Sequence, residues 1–265
     1  TLIEEYPTYI ENHGYSVSGE AMYTKAFDIS ELQFGIQYQH NFAYNDYVVY
    51  DETTSMSKDN IYAYAQYVTM LGDKASLVLG TGAKVFVVND GLNTLSYVKN
   101  LSTLRLNYKI NKKMSLSAVA SLSPSLPSLS DLSTVMQRTD DVSANVGNAD
   151  LKPYNTLSGR LQFNYNAPKI FYATATAGYS HSFNPIVYTY YYNPELNLFV
   201  NSPHNSDYYK TMYLYTKIGA KKLFEFLYIS LTGNLRKQES KGIGFHHENL
   251  NFYSSVEVQA VWEKF

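Results

Sequence analysis

The chain contains no cysteine among its 265 residues. That removes disulfide staples, thiolate metal sites and cysteine nucleophiles together. It also carries little net charge: 21 basic and 23 acidic residues leave −2. A nucleic-acid partner is therefore not expected, because such binding draws on a large excess of cations. No run approaches the roughly 18 consecutive apolar residues that cross a bilayer as a helix. A helical membrane protein is excluded, but a membrane β-barrel is not, since barrel strands only alternate and keep mean hydropathy low. What the chain has in surplus is tyrosine: 27 residues, which with 13 Phe and one Trp make it 15% aromatic. The length suffices for a full core, so one large or two ordinary domains are both allowed.

The dominant pattern is strict alternation. Leu32, Phe34, Ile36, Tyr38, His40 and Phe42 fall on one face, and Gln33, Gly35, Gln37, Gln39 and Asn41 on the other. A helix would scramble these faces, whereas a strand separates them. Leu157, Gly159, Leu161, Phe163 and Tyr165 oppose Ser158, Arg160, Gln162, Asn164 and Asn166 in the same way. So do Leu104, Leu106, Tyr108 and Ile110 against Thr103, Arg105, Asn107 and Lys109. Every charge inside these segments falls on the polar face.

The segments predict about a dozen strands of some ten or more residues, long enough to cross a bilayer at a barrel's tilt. They run over Gly14 to Lys25, Ser30 to Tyr44, Asn60 to Leu71, Ala75 to Val88, Lys99 to Ile110 and Met114 to Leu126. Asn155 to Asn166, Ile170 to Tyr192, an interrupted Leu196 to Lys221, Glu225 to Lys237 and Asn249 to Trp262 complete the set. Short turns near Phe27-Asp28, Gly72 to Lys74, Asn111 to Lys113, Ala167 to Lys169 and Lys222 to Phe224 alternate with long connections. The long ones are Asn45 to Asp59, Asn89 to Val98, Pro127 to Tyr154 and Glu239 to Glu248, with a tall hairpin around Asn193-Pro194. Short periplasmic turns and long extracellular loops are the asymmetry of an outer-membrane barrel.

A soluble sandwich also alternates, burying its apolar face and wetting the other. Three features favour lipid. The polar face is rich in Gln, Asn, Ser, Thr and Arg and poor in the dense Lys and Glu of a soluble surface. The strands exceed the common length. Aromatics on the apolar face sit near strand ends, Tyr15 with Tyr23, Phe171 with Tyr179, and Phe252 with Trp262, as in the interfacial girdles of a membrane protein.

The stretch Ser121-Leu122-Ser123-Pro124-Ser125-Leu126-Pro127-Ser128-Leu129-Ser130-Asp131-Leu132, followed by Gly147-Asn148-Ala149-Asp150-Leu151-Lys152-Pro153, resembles the barrel of TonB-dependent outer-membrane receptors, particularly the Bacteroidetes type. In that family an upward strand ends in a "Pro-Ser-Leu, Leu" stretch and a Gly-Asn-Pro-x-Leu-Lys-Pro-Glu-like segment starts the next descending strand. Ala149 replaces the usual Pro and Tyr154 the usual Glu. Physically the motif reads as structure: Gly147 allows an unusual backbone, Asn148 and Asp150 can bond it locally, and Pro153, after Leu151 and Lys152, stiffens the entry to the strand. Its expected job is to fold a loop back onto the rim.

The resemblance implies an all-β, antiparallel up-and-down transmembrane β-barrel segment, about 11 or 12 strands of a larger, 22-strand barrel. Residues 1–265 would then be a partial barrel domain, with signal peptide, TonB-contacting segment, plug domain and remaining strands outside the chain. The loop-like residues from Thr1 and the end Glu263-Lys264-Phe265, read as a periplasmic turn, fit that expectation. The implied partners are outer-membrane lipid, the plug, TonB and an extracellular nutrient such as a glycan, peptide or metal chelate. The alternative is a complete small porin, or a structural or adhesive barrel, since an even strand count can close by itself.

No enzyme, cofactor or resident metal is expected. His13, His204, His246 and His247 lie in predicted loops and His40 and His181 near upper strand ends. None has the spacing of a helical metal pair, and the adjacent His246 and His247 point apart if extended. Gly80-Thr81-Gly82 is not followed by a helix and reads as a strand bend, and Asp140-Asp141 as a solvated pair. The candidate ligand contacts are Tyr188, Tyr190, Tyr191 and Tyr192 with Phe199 across the hairpin, whose rings could stack on a sugar or simply brace the hairpin. The tyrosines thus divide into a lipid-facing set (Tyr15, Tyr23, Tyr38, Tyr108, Tyr165, Tyr179) and an outer, loop-borne set including Tyr44, Tyr47 and Tyr50.

Overall fold

The computed structural model describes residues 10–47, 52–89, 91, 94–167, 171–223, 226–242 and 244–261. The expectations placed on Thr1, Tyr50, Trp262 and the Glu263-Lys264-Phe265 end lie outside these residues. Strands β1 (Ile10–Ala26), β2 (Ser30–Tyr47), β3 (Glu52–Leu71), β4 (Ala75–Asn89), β5 (Thr94–Lys109) and β6 (Met114–Ser125) follow in order. A four-residue helix α1 (Leu129–Leu132) and the short strands β7 (Gln137–Arg138) and β8 (Ser143–Asn145) fill the long connection to β9 (Tyr154–Ala167). Then come β10 (Phe171–Phe183), β11 (Ile186–Asn193), β12 (Leu198–Asn205), β13 (Tyr208–Leu223), β14 (Leu227–Gly242) and β15 (Phe245–Ala260).

Eleven strands form one sheet in the order β1-β2-β3-β4-β5-β6-β9-β10-β13-β14-β15, every neighbouring pair antiparallel, with β1 and β15 at its ends. The remaining strands make a second sheet, β11-β12-β8-β7, in which β12 and β8 run parallel. Among the described residues no helix is long and apolar enough to cross a membrane.

The register keeps the apolar residues on one side across the whole wall. One row of cross-strand partners reads Leu77, Leu106, Ala118, Leu161, Ala177, Leu214, Leu235 and Phe252. These residues are not in a core: Leu161 is 48% exposed, Leu214 47% and Phe252 73%. The accessible surface is 17181 Å². A compact soluble chain of this mass would expose about 12,000 Å². The wall is therefore a single layer whose apolar side needs a solvent other than water, which decides against the soluble sandwich.

The opposite register is polar and cross-linked by side chains. Gln66 donates to Gln33 Oε1 at 2.9 Å, Gln37 to Glu20 at 3.0 Å and Tyr64 to the same carboxylate at 2.7 Å. It also holds tyrosines that the division into lipid-facing and loop-borne sets leaves out. Tyr64 covers Gly35, Tyr213 covers Gly178 and Tyr172 covers Gly219, each directly across a strand pair. A methyl group at Gly178 would stand 2.2 Å from the Tyr213 ring, so the ring packs flat where the missing Cβ leaves room. Gly178→Ala is expected to lever Tyr213 into the lumen and cost about 1–2 kcal/mol, read as a lower urea midpoint in detergent. In a Tyr213→Ala background the same change should cost nothing.

Several boundaries differ from the sequence reading. The expected strand Ile170 to Tyr192 breaks in two, because Asn184 adopts φ 54° and Pro185 has no N–H to continue the ladder, while the interruption expected within Leu196 to Lys221 falls between Asn205 and Tyr208. Their tips β11 and β12 leave the wall for the second sheet. The expected loops Asn45 to Asp59 and Glu239 to Glu248 are mostly strand. β14 and β15 pair out to Gly242 and Phe245 through a turn with Gly244 at φ 79°. β5 likewise starts at Thr94, inside the connection expected from Asn89 to Val98.

Candidate functional site

The long connection after β6 folds over the polar face at the end of the wall opposite the short turns. Ser128 caps α1: its Oγ accepts from Asp131 N–H at 3.1 Å, while the Asp131 carboxylate accepts from Ser128 N–H at 3.0 Å. Leu132 and Leu151 then bury against Val88, a polar-register position of β4, with Leu126, Leu129 and Ile186 around them. This small core is what holds the second sheet to the wall.

The Gly147 to Pro153 motif makes the remaining ties. Gly147 N–H donates to Ser133 O at 2.8 Å and Asn148 N–H to Asp131 O at 2.6 Å. The Asn148 side chain donates to Pro203 O at 3.1 Å and accepts from Asp150 N–H at 2.9 Å. Lys152 N–H donates to Asn205 Oδ1 at 2.8 Å, and Asn205 returns Nδ2 to Lys152 O at 3.0 Å. Leu151 and Pro153 are buried, and the motif couples α1 to β12 across some fifty residues of sequence.

The aromatic hairpin is only partly one surface. Tyr188, Tyr190 and Tyr192 share a face with Phe199, and Tyr191 points to the other. Tyr192 and Phe199 are tilted rings 5.4 Å apart, and Tyr192 Oη donates to Asn197 Oδ1 at 2.6 Å. Tyr190 is the freest, 71% exposed. Tyr188 Oη donates to Asp131 Oδ1 at 2.5 Å, closing a cleft of about 270 Å³ between α1, β8 and β12. Ser130, Ser133, Gln137, Asn145 and Asn201 give it a polar lining beside Pro203, and Asn201 Nδ2 reaches Asn145 Oδ1 at 3.2 Å. Sequence reasoning missed Gln137, Asn145 and Asn201, because the cleft draws on four separated segments that the pairing of β12 with β11 and with β8 unites.

The hydrogen bond from Tyr188 to Asp131 holds the phenol above its ordinary range, with burial and the carboxylate charge adding to it. A phenol with a raised folded pKa contributes stability below its unfolded value of about 10 and loses it as pH rises through the raised one. Tyr188→Phe is expected to loosen α1 by about 1 kcal/mol, because the ring is more than half exposed and water replaces part of the bond. Hydrogen exchange over residues 128–133 should show this at neutral pH and show no difference from wild type well above that range.

Asp140 acts as a turn acceptor, taking Val142 N–H at 2.9 Å. On the outward register β14 and β15 bring Glu239, His246 and Glu248 within 4.8 Å. Lys210 lies 3.9 Å from Glu239, Lys237 lies 3.4 Å from Glu248, and Tyr208 donates to Glu239, so these carboxylates are already engaged in a charge network. His40 Nδ1 stands 2.8 Å from Asp59 Oδ1, and Tyr38 Oη donates to the same oxygen at 2.7 Å.

The sequence model of the outer membrane protein β-barrel family matches residues 4–262. No curated protein sequence matches the chain. Among solved structures it is similar to the copper transporter OprC, at TM-score 0.71 and 12% identity over 87% of this chain and 39% of that one. It is also similar to the FrpB iron transporter from Neisseria meningitidis (F5-1 variant, apoprotein form), at TM-score 0.60 and 14% identity over 87% of this chain and 37% of that one. The ferric yersiniabactin uptake receptor FyuA from Yersinia pestis gives TM-score 0.59 and 11% identity, covering 96% and 41%. The chain thus spans about two fifths of the length of these structures.

Proposed function

The chain belongs to the outer membrane protein β-barrel family, and from that premise we propose that it is part of the barrel wall of a TonB-dependent receptor for a scarce extracellular nutrient. The observation that carries this reading is the wall itself. Its eleven strands end in β1 and β15, which do not pair with each other. Unpaired edges do not persist in hydrocarbon, and a wall open at both edges fits one that is completed by further strands, which supports the large receptor over a small porin. The similar structures are named as transporters or receptors for copper, iron and ferric yersiniabactin, which supports uptake as the activity.

In the complete protein a plug would close the lumen and TonB would drive its rearrangement. The second sheet, with Tyr188, Tyr190, Tyr191, Tyr192 and Phe199, would meet the nutrient on the extracellular side, and the cleft beside Asp131 would take a small polar group of it. Deleting the gene should abolish growth on one limiting nutrient from a panel of glycans, peptides and iron chelates, and collapsing the inner-membrane proton gradient should stop uptake of that nutrient. Uptake that survives gradient collapse would contradict the receptor reading and support a porin.

A further inference from the structure

The polar register of the wall carries cations that pair with no carboxylate among the described residues. Lys84 on β4 lies directly opposite Lys99 on β5, and Lys58 on β3 lies opposite Val88, nearer the extracellular end of β4. Between these levels sits the buried Phe86, and Lys84 Nζ stands 5.2 Å from its ring centroid, which turns the amine toward the extracellular side. All three lysines are half-buried, and none takes part in an ion pair among the described residues. Like charges directly opposite on neighbouring strands are destabilising, and partial burial weakens the screening that would relieve them. Such a cluster is stable when a counterion completes it.

We propose that Lys58, Lys84 and Lys99 form a binding site for a multiply charged anion, a solute carrying clustered carboxylate or phosphate groups. The site lies on the lumenal side of the wall, next to the Val88, Leu132 and Leu151 core that seats the extracellular sheet. Its position places it beneath the cleft and within reach of a solute arriving from outside. A lipid headgroup is not the occupant, because this register points away from the apolar face. The proposal rests on the receptor reading and names the charge class of its cargo: an anion gains three ammonium groups at once, whereas an uncharged solute gains nothing from the cluster.

The test uses the complete receptor in detergent, titrated calorimetrically with inorganic pyrophosphate, with sucrose as the uncharged control. Wild type is expected to bind pyrophosphate saturably, more weakly as salt rises, and to ignore sucrose. Lys58→Gln, Lys84→Gln and Lys99→Gln combined should weaken pyrophosphate binding at least about tenfold, and the matching triple arginine variant should retain it. Should the glutamine triple fail to assemble, Lys84→Gln alone is read for a drop of about threefold. Unchanged affinity in the glutamine variant overturns the site. Absence of saturable binding by wild type also overturns it, because an acidic group of the receptor would then already hold the lysines. Gradient-independent uptake alongside intact pyrophosphate binding would instead overturn the receptor reading and leave the anion site standing.

Discussion

Leu161→Arg is expected to destabilise the barrel by about 2–4 kcal/mol, the cost of placing a guanidinium at the bilayer midplane on the lipid side. Leu161 lies mid-strand in β9, 48% exposed, with Ala118 and Ala177 as its cross-strand neighbours. Its chain neighbour Gln162 points to the opposite side, toward Ser117 and Thr176. Gln162→Arg should therefore stay within about 0.5 kcal/mol of wild type. Depth supplies a second control. Leu250 is more exposed still, 67%, but sits beside Lys237 at the outer end of β15. Leu250→Arg should cost no more than about 1 kcal/mol. Urea unfolding in lipid vesicles reads all three. If the apolar register faced water, Leu161→Arg and Leu250→Arg would be equally harmless.

Gly147→Val is expected to detach the second sheet from the wall. A Cβ there would stand 2.3 Å from Ser133 O and 2.6 Å from Asp131 O. Both are backbone atoms, one in the turn after α1 and one within it, so neither can swing aside as a side-chain tip can. Relief requires moving the motif, which breaks the bonds from Gly147 N–H and Asn148 N–H and lifts Leu151 from its seat against Val88 and Leu132. Overpacking against fixed backbone together with these losses should cost about 3 kcal/mol. The damage should be local: total strand content by circular dichroism unchanged, but protease cleavage opened over residues 127–153 and in β11 and β12. Gly159→Ala, where nothing lies within 4 Å of the added carbon, should behave as wild type.

The wall was legible from the sequence because a one-layer sheet exposes both faces to different solvents, so each strand keeps its period of two without the compromises of a packed core. Two kinds of feature were not. Glu239, Lys241, His246 and His247 read as loop because they are charged or polar. Yet strands that rise beyond the bilayer enter water, where charge no longer argues against pairing, and β14 and β15 continue through them. Register supplied the rest. Gly178 meets Tyr213, and Gly35 meets Tyr64, only once the partner strand and its offset are known, and the same holds for Asn145 against Asn201. The Gly147 motif was readable as a loop fastener from its residue types, but its partners Ser133, Pro203 and Asn205 were not.

The absence of cysteine makes the central claim, that one register of the wall faces lipid and the other a hydrated lumen, directly measurable. Single cysteines from Leu157 to Asn164 in β9, spin-labelled in lipid vesicles, would be relaxed by dissolved oxygen, which concentrates in hydrocarbon, and by a polar nickel chelate, which stays in water. Collisions with oxygen should peak at Leu157, Gly159, Leu161 and Phe163, and collisions with nickel at Ser158, Arg160, Gln162 and Asn164, the two profiles alternating out of phase with a period of two. Profiles that rise and fall together, or nickel contact at Leu161 equal to that at Gln162, would contradict it.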